Sequence, residues 1–306
     1  MTDFVAAQSR GIETPRPARR AHRLPASLEA FILLLLIWTI AAPMANADRV
    51  REALKRTSTP VTLTALILDG WSLERPVLPA PHQIAAEIWT SVTSNPPNSR
   101  RNLLFHVWAT LDASLCGLAF GIVLGGALAV LLQEFRLFEV AALPWIVASQ
   151  TIPTLALAPI VVVLLGRLGV SGLWQKATID ALIVFFPITL ALLKGLRAPE
   201  PALLDLMRTY GASRWATLIK IRFPAALSFF FPALKVAVAL SIVATIVGEL
   251  PTGAQAGLGA RLLVGSYNGL MLVVWSALVA ASLTTAVLIA LVSVCERAIL
   301  APTSRK

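Results

Sequence analysis

Charge is the scarcest ingredient of this 306-residue sequence: only 14% of its residues are Asp, Glu, Lys or Arg, against about 25% in soluble domains. A chain of this size cannot coat a water-facing surface with so little charge, which argues against a soluble enzyme. The hydrophobic content of 57% and mean hydropathy of +0.77 exclude a disordered chain as well. Cysteine and histidine are nearly missing, with two and three copies. Cys116 and Cys295 each lie inside a long apolar run, where two buried thiols are expected in place of a disulfide. His22, His82 and His106 are scattered, and no Cys/His spacing matches a zinc site, so no metal is expected. The 26 Lys and Arg outnumber the 16 Asp and Glu, for a formal charge of +10. They form no continuous basic face of the kind a nucleic-acid-binding domain needs, so no nucleic-acid partner is expected.

What the sequence does have is long uncharged stretches. A bilayer core of about 30 Å is crossed by about 20 apolar residues in a helix. Ala30–Ala47, Ala113–Leu132, Val140–Leu165, Ala177–Leu193, Phe223–Gly248 and Met271–Val294 each come near that length, with Asp180 and Lys235 the only charges inside them. The first follows a run of arginines but lacks a convincing small-x-small cleavage site, so it reads as an uncleaved span. Pro144, Pro153 and Pro159 kink or interrupt the third. The expected fold is all-α: a polytopic membrane protein with six transmembrane helices. Its expected divisions are a disordered basic tail (1–27), a first transmembrane helix (28–47) and an external loop with short helices (48–106, helices near 61–68 and 83–92). A transmembrane core (107–297) and a second tail (298–306) follow.

The cations orient these spans. Arg10, Arg16, Arg19, Arg20 and Arg23 precede the first, and Lys194, Arg197, Arg208, Arg214, Lys220 and Arg222 crowd the loop after the fourth. Counted over short loops, this bias makes both termini cytoplasmic. Gly117, Gly121 and Gly125 repeat every four residues in the second span, a pattern that lets helix backbones approach closely in lipid. Asp112, Asp180, Lys235 and Glu249 lie toward span ends, where interfacial or packing roles are expected; Glu249 precedes a Gly-rich stretch and is the gate candidate. Ser149, Gln150, Ser241, Thr245 and Glu249 are the candidate pathway residues.

The loop over 194–224 is long for a connection between two spans. Pro199 and Pro201 suit the first turn of a helix, and Leu203, Leu206, Met207 and Tyr210 give it one apolar face. Gly211 suits a left-handed cap, and Ser213 suits the start of a second helix carrying Trp215, Leu218 and Ile219. From chemistry alone this is either an amphipathic pair lying on anionic lipid or a docking element for a cytoplasmic protein.

The order Asp205-Leu206-Met207-x3-Gly211-Ala212-Ser213-x7-Ile221-x-Phe223-Pro224 resembles the EAA loop of binding-protein-dependent ABC importer permeases, whose pattern is Glu-Ala-Ala-x3-Gly-x9-Ile-x-Leu-Pro. Gly211, Ile221 and Pro224 match it; Asp205-Leu206-Met207 replaces Glu-Ala-Ala, and Phe223 replaces Leu. Leu78-Pro79-Ala80-Pro81, Gln150-x-Ile152-Pro153, Phe185-Phe186-Pro187 and Gly248-Glu249 with Gly257-Leu258-Gly259 extend the likeness. Together they resemble the nitrate/sulfonate/taurine branch, whose relatives also import thiamine-precursor pyrimidines and riboflavin. The resemblance implies a multi-pass permease in the bacterial plasma membrane, paired with a second permease subunit. It implies a cytoplasmic ABC ATPase dimer, met through Asp205, Leu206, Met207, Gly211, Ala212, Ser213, Ile221 and Pro224, and an extracytoplasmic solute-binding protein. No cofactor is expected on this chain: ATP would be hydrolysed by the partners, since no Gly-x4-Gly-Lys-Ser/Thr loop is present. The alternative is a self-contained secondary transporter, which would need a midplane ion site and inverted repeats.

Overall fold

The computed structural model describes residues 26–58 and 60–301; the two expected tails therefore lie outside the described residues, except for their innermost positions. Within that range the chain is helical. α1 (Ala26–Arg56), α2 (Leu63–Ser72) and α3 (Pro81–Thr93) precede the long α4 (Leu103–Glu134). α5 (Arg136–Ser149), α6 (Thr154–Arg167), α7 (Leu173–Leu196), α8 (Pro201–Thr209) and α9 (Arg214–Thr217) follow. A π-helical turn (Leu218–Arg222) leads into α10 (Phe223–Glu249), then α11 (Leu258–Tyr267) and α12 (Met271–Leu300).

Five helical runs are long and apolar enough to cross a membrane: Leu28–Arg56, Leu103–Glu134, Leu173–Leu196, Arg214–Glu249 and Met271–Leu300. The third uncharged stretch, expected as one span, is instead two 14-residue helices. Each is about 21 Å long, short of the bilayer core. The cause is local. Pro153 has no N–H and disfavours the helical conformation at Ile152, while the Ser149 and Thr151 hydroxyls turn back onto the carbonyls of Ile146 and Ala148, both at 2.7 Å. Pro144 and Pro159 stay inside their helices. α1 also runs well past the expected end at residue 47, carrying Asp48, Arg49 and Arg51 on continuous helix. Cys295 is exposed and Cys116 half-buried, both as free thiols, so the expectation of two buried thiols holds for neither in full.

The glycine stripe sets the packing of α4 on α7. A methyl carbon added to Gly117 would run into the Asp180 side chain, one on Gly121 would stand 2.6 Å from Val184 Cγ1, and one on Gly125 2.7 Å from the Phe185 carbonyl. Positions rise together along both helices, so α4 and α7 run parallel. α10 runs antiparallel to α7, with Lys176 beside Glu249 and Asp180 beside Ser241. Leu118, Val184, Ile188, Ala237 and Val238 fill the space between the three. The outward faces of α1, α6 and α12 leave Leu34, Val163, Leu164 and Val287 uncovered, as lipid-facing helices do.

The segment that joins α1 to α3 is fixed by saturated polar anchors. Asn46 is fully buried; its amide donates to the carbonyls of Gly70 and Leu78 at 3.0 and 2.9 Å, and its oxygen accepts the N–H groups of Val77 and Leu78. α2 is thereby strapped to α1 at Gly70, where an added methyl would meet Pro43 at 2.8 Å.

Candidate functional site

The loop between α7 and α10 begins with α8, whose first turn is opened by Pro201. It ends in a Schellman cap: Ala212 N donates to Met207 O at 3.0 Å and Gly211 N to Arg208 O at 2.9 Å. Gly211 has φ +66°, a conformation that glycine adopts without steric cost, and nothing lies within 4 Å of the place its Cβ would occupy. Ser213 then caps α9, its hydroxyl accepting from Ala216 N at 3.1 Å. The second helix is not a free-standing partner of the first. It runs through the π turn directly into α10, making one helical run from Arg214 to Glu249. The widened turn precedes Pro224, which has no N–H to offer the Lys220 carbonyl.

α8 contains no buried residue. Leu206 is 49% exposed and Tyr210 80%, and Leu203 lies beside them on the face that the sequence marks as apolar. The base of the loop, by contrast, is tied down. Arg197 donates to Gln133 at 3.1 Å and to Glu139 at 2.9 Å, and Arg222 donates to the Leu196 carbonyl at 2.9 Å. The Arg197 hydrogen bond holds the Glu139 carboxyl below its ordinary range. A groove of about 500 Å³ lies under α8, lined by Glu134, Arg136, Asp205, Arg208 and Arg222 among others. The loop therefore presents an uncovered apolar ridge with cations around it, on a base fixed to the ends of α4, α5 and α7.

A second polar cluster joins the far ends of α4, α7 and α10. Glu249 is 1% exposed. Its Oε1 accepts from Thr110 Oγ1 at 2.9 Å and faces Lys176 Nζ at 3.5 Å; its Oε2 accepts from Gly259 N at 2.7 Å. Thr110 Oγ1 also takes the N–H of Leu258 at 2.7 Å, and His106 Nδ1 lies 2.9 Å from the Gly257 carbonyl. Gly257-Leu258-Gly259 thus wraps a buried carboxylate, and only glycine fits: a Cβ at Gly257, where φ is +127°, would fall on the Glu249 carboxylate. Deeper along the same seam, Ser241 Oγ lies 2.7 Å from Asp180 Oδ2 and 2.9 Å from the Ser114 carbonyl.

The candidate pathway residues therefore divide. Ser241, Thr245 and Glu249 fall on one buried face of α10, packed against α4 and α7 within this chain. Ser149 and Gln150 sit at the α5–α6 break, with Gln150 exposed. No hydrogen bond among the described residues joins the two groups. Asp180 and Glu249, expected as interfacial or packing residues, are buried packing groups, because glycine on α4 and at the start of α11 makes room for their carboxylates. Thr110 and Lys176 escaped the sequence reading, and His106 entered it only as a scattered histidine. The available signal was helical spacing: His106 and Thr110, and Lys176 and Asp180, are each four apart.

Residues 117–302 match the family described as binding-protein-dependent transport system inner membrane component. The chain belongs to that family. Within it, the chain is 32% identical over 211 residues to a probable ABC transporter permease protein of Haemophilus influenzae, covering 67% of this chain and 81% of that protein. It is 32% identical over 213 residues to the formylaminopyrimidine transport permease protein ThiX of Halalkalibacterium halodurans, covering 69% and 82%. The riboflavin transport system permease protein RibX of Chloroflexus aurantiacus is 31% identical over 212 residues, covering 66% and 74%. The chain is the permease subunit of an ABC importer, and the secondary-transporter alternative falls away. As a family member it is a multi-pass membrane protein that works with ATPase and binding-protein partners.

Proposed function

We propose that this permease carries a small solute, delivered by an external binding protein, across the bacterial plasma membrane as one of two permease subunits, and that α8 and the Gly211 cap are where a cytoplasmic ATPase dimer pushes. The uncovered apolar ridge of α8 supports this reading most directly. A helix with no buried residue, only Leu204 and Met207 half-covered, gains little from packing on its own chain, and an amphipathic helix is marginal alone. Seating in a cleft of another protein supplies the missing burial. α8 follows α7 directly in the chain, and the Arg222 bond to the Leu196 carbonyl joins the inner ends of α7 and α10, so motion of α8 reaches both.

The parallel course of α4 and α7 supports six crossings. Two parallel spans need a return crossing between them, and α5 with α6 is the intervening segment. We read that pair as one broken span, with the α4–α5 turn and the α7–α10 loop cytoplasmic. Arg136, Lys194, Arg197, Arg208, Arg214, Lys220 and Arg222 then collect on the inner side, and both termini share it. On this reading the core of 107–297 moves as the transport unit, and the glycine contacts Gly117, Gly121 and Gly125 hold α4 to α7 while it does so. Ser149 and Gln150, at the break, are the pathway candidates that face away from the packed seam.

Gly211→Val tests the coupling role. No neighbour clashes with the new side chain, so the cost is confined to the cap: about 1–3 kcal/mol for a β-branched residue in the left-handed region. The expected outcome is normal membrane insertion with uptake and ATPase association lost in the assembled importer. Uptake equal to that of the unsubstituted protein would contradict the coupling role.

A further inference from the structure

A cavity of about 690 Å³ opens between the α3–α4 connection, α11 and the start of α12, remote in sequence from the coupling loop. Its cations outnumber its anions. Arg100, Arg101 and Arg261 line it with Glu87. Arg261 is only 8% exposed. Its Nη1 donates to the Arg101 carbonyl at 3.0 Å, and its Nη2 reaches Ser91 Oγ at 3.1 Å and Glu87 Oε1 at a long 3.4 Å. Its Nε is buried with no hydrogen-bond partner, so the guanidinium is incompletely satisfied. The Arg100 and Arg101 side chains are exposed and make no hydrogen bond or ion pair among the described residues. Three cations, of which Arg261 is held in place by its bonds, therefore share one cavity with one carboxylate. Like charges gathered on a low-dielectric wall repel one another and raise the local potential for an anion. Val264, Leu270 and Val273 form the opposite, apolar wall.

We propose that this cavity is a binding site for an oxyanion group, a sulfonate, phosphate or carboxylate, carried on an apolar body. Arg100 and Arg101 contact the oxyanion, Arg261 fixes the floor through its bonds to Arg101 and Ser91, and Val264, Leu270 and Val273 cover the apolar part. The geometry suits arginine, whose planar fork pairs two oxygens at once. Two sources carry this chemistry: a free organic anion and the headgroup of an acidic phospholipid. The site stands apart from the coupling role of α8, because none of its residues belongs to the loop that joins α7 to α10.

The test uses the full chain in phosphatidylcholine nanodiscs, with thermal unfolding followed at constant ionic strength. Sodium butanesulfonate is expected to raise the unfolding temperature saturably over sodium chloride. The double variant Arg100→Gln/Arg101→Gln is expected to weaken the half-saturating concentration by about tenfold or more, the loss of at least one charge-assisted bond. Glu87→Gln, which removes the cavity's carboxylate, is expected to tighten it. Nanodiscs containing phosphatidylglycerol distinguish the sources: a headgroup occupant raises the unfolding temperature there, in the unsubstituted protein and not in the double variant, and removes the further effect of butanesulfonate. Absence of both the sulfonate and the phosphatidylglycerol effect, or their persistence in the double variant, overturns the proposal. Retained ATPase association in the same variant shows that such a failure concerns the cavity and not the transport reading.

Discussion

Glu249→Ala is expected to be the most damaging single substitution in this permease, costing about 3–5 kcal/mol, the penalty for removing one partner of a buried ion pair. The carboxylate is fully enclosed, and Lys176, whose side chain is only 10% exposed, has no other carboxylate within ion-pair distance among the described residues. Its removal also orphans the Gly259 N–H and deprives the Thr110 hydroxyl of its acceptor. Glu249→Gln keeps one acceptor oxygen, enough for either Thr110 or Gly259 but not both, and leaves the ammonium uncompensated, so it is expected to lie between alanine and the unsubstituted protein. Lys176→Met combined with Glu249→Gln removes both charges at once. The double variant is expected to recover about 0.5–3 kcal/mol relative to the sum of the single variants, the range for contacting residues. Thermal unfolding of the unsubstituted protein, the three single variants (Lys176→Met included) and the double variant in one detergent ranks them. Strict additivity would contradict the pairing.

The second large effect is expected at the glycine stripe. Gly117→Ala drives a methyl group into the Asp180 side chain, and Gly125→Ala drives one onto the Phe185 carbonyl. Overpacking of this kind costs about 1–3 kcal/mol, and backbone obstruction at Gly125 has no side chain to move aside. Gly126→Ala is the built-in control. Its new methyl would sit 3.7 Å from Leu192 Cδ1, an ordinary contact, and alanine favours the helix over glycine by about 1 kcal/mol. One methyl added at adjacent positions is thus expected to change stability in opposite directions. Combining Gly117→Ala with Asp180→Ala should return part of the loss, since the colliding carboxylate is gone. Equal effects at Gly117 and Gly126 would show that α4 does not meet α7 along this stripe.

The parts of the fold that were legible in the sequence are those with local causes. Uncharged runs of spanning length fix where the long helices lie, because charge is costly in the bilayer core. Gly211 and Ser213 announce their caps for the same reason: a left-handed turn and an orphan N–H are satisfied within four residues. Pro153 marked an interruption, but not that the break would divide the stretch into two helices each too short to cross. That outcome also depends on the Ser149 and Thr151 hydroxyls folding back on the chain. The continuation of α9 into α10 was illegible for a related reason, since the uncharged run starts only at Phe223 while the π turn at Leu218–Arg222 carries the helix across the cations before it.

The polar seam depends on pairings across long separations. Thr110 meets Glu249 across 139 residues and Arg261 meets Glu87 across 174. Nothing in the spacing of Lys176 and Asp180 says that α7 runs parallel to α4, and it is that parallel course which carries Asp180 under Gly117. The uncovered face of α8 was visible as periodicity in Leu203, Leu206 and Tyr210, but its meaning was not: an apolar face may be buried by its own chain, by lipid or by a partner. The absence of any buried residue on α8 removes the first of these, and the family places an ATPase beside the permease.

The most direct measurement is co-purification from native membranes of the tagged permease and of its Leu203→Asp/Leu206→Asp variant, with ATP hydrolysis assayed in each preparation. Both residues are exposed in the permease itself, so the variant is expected to insert and fold normally. The coupling account predicts an ATPase at about one copy per permease with the unsubstituted chain, and its loss, together with the hydrolysis, from the variant. An ATPase retained in equal amount by the variant, or absent from both preparations, would contradict it.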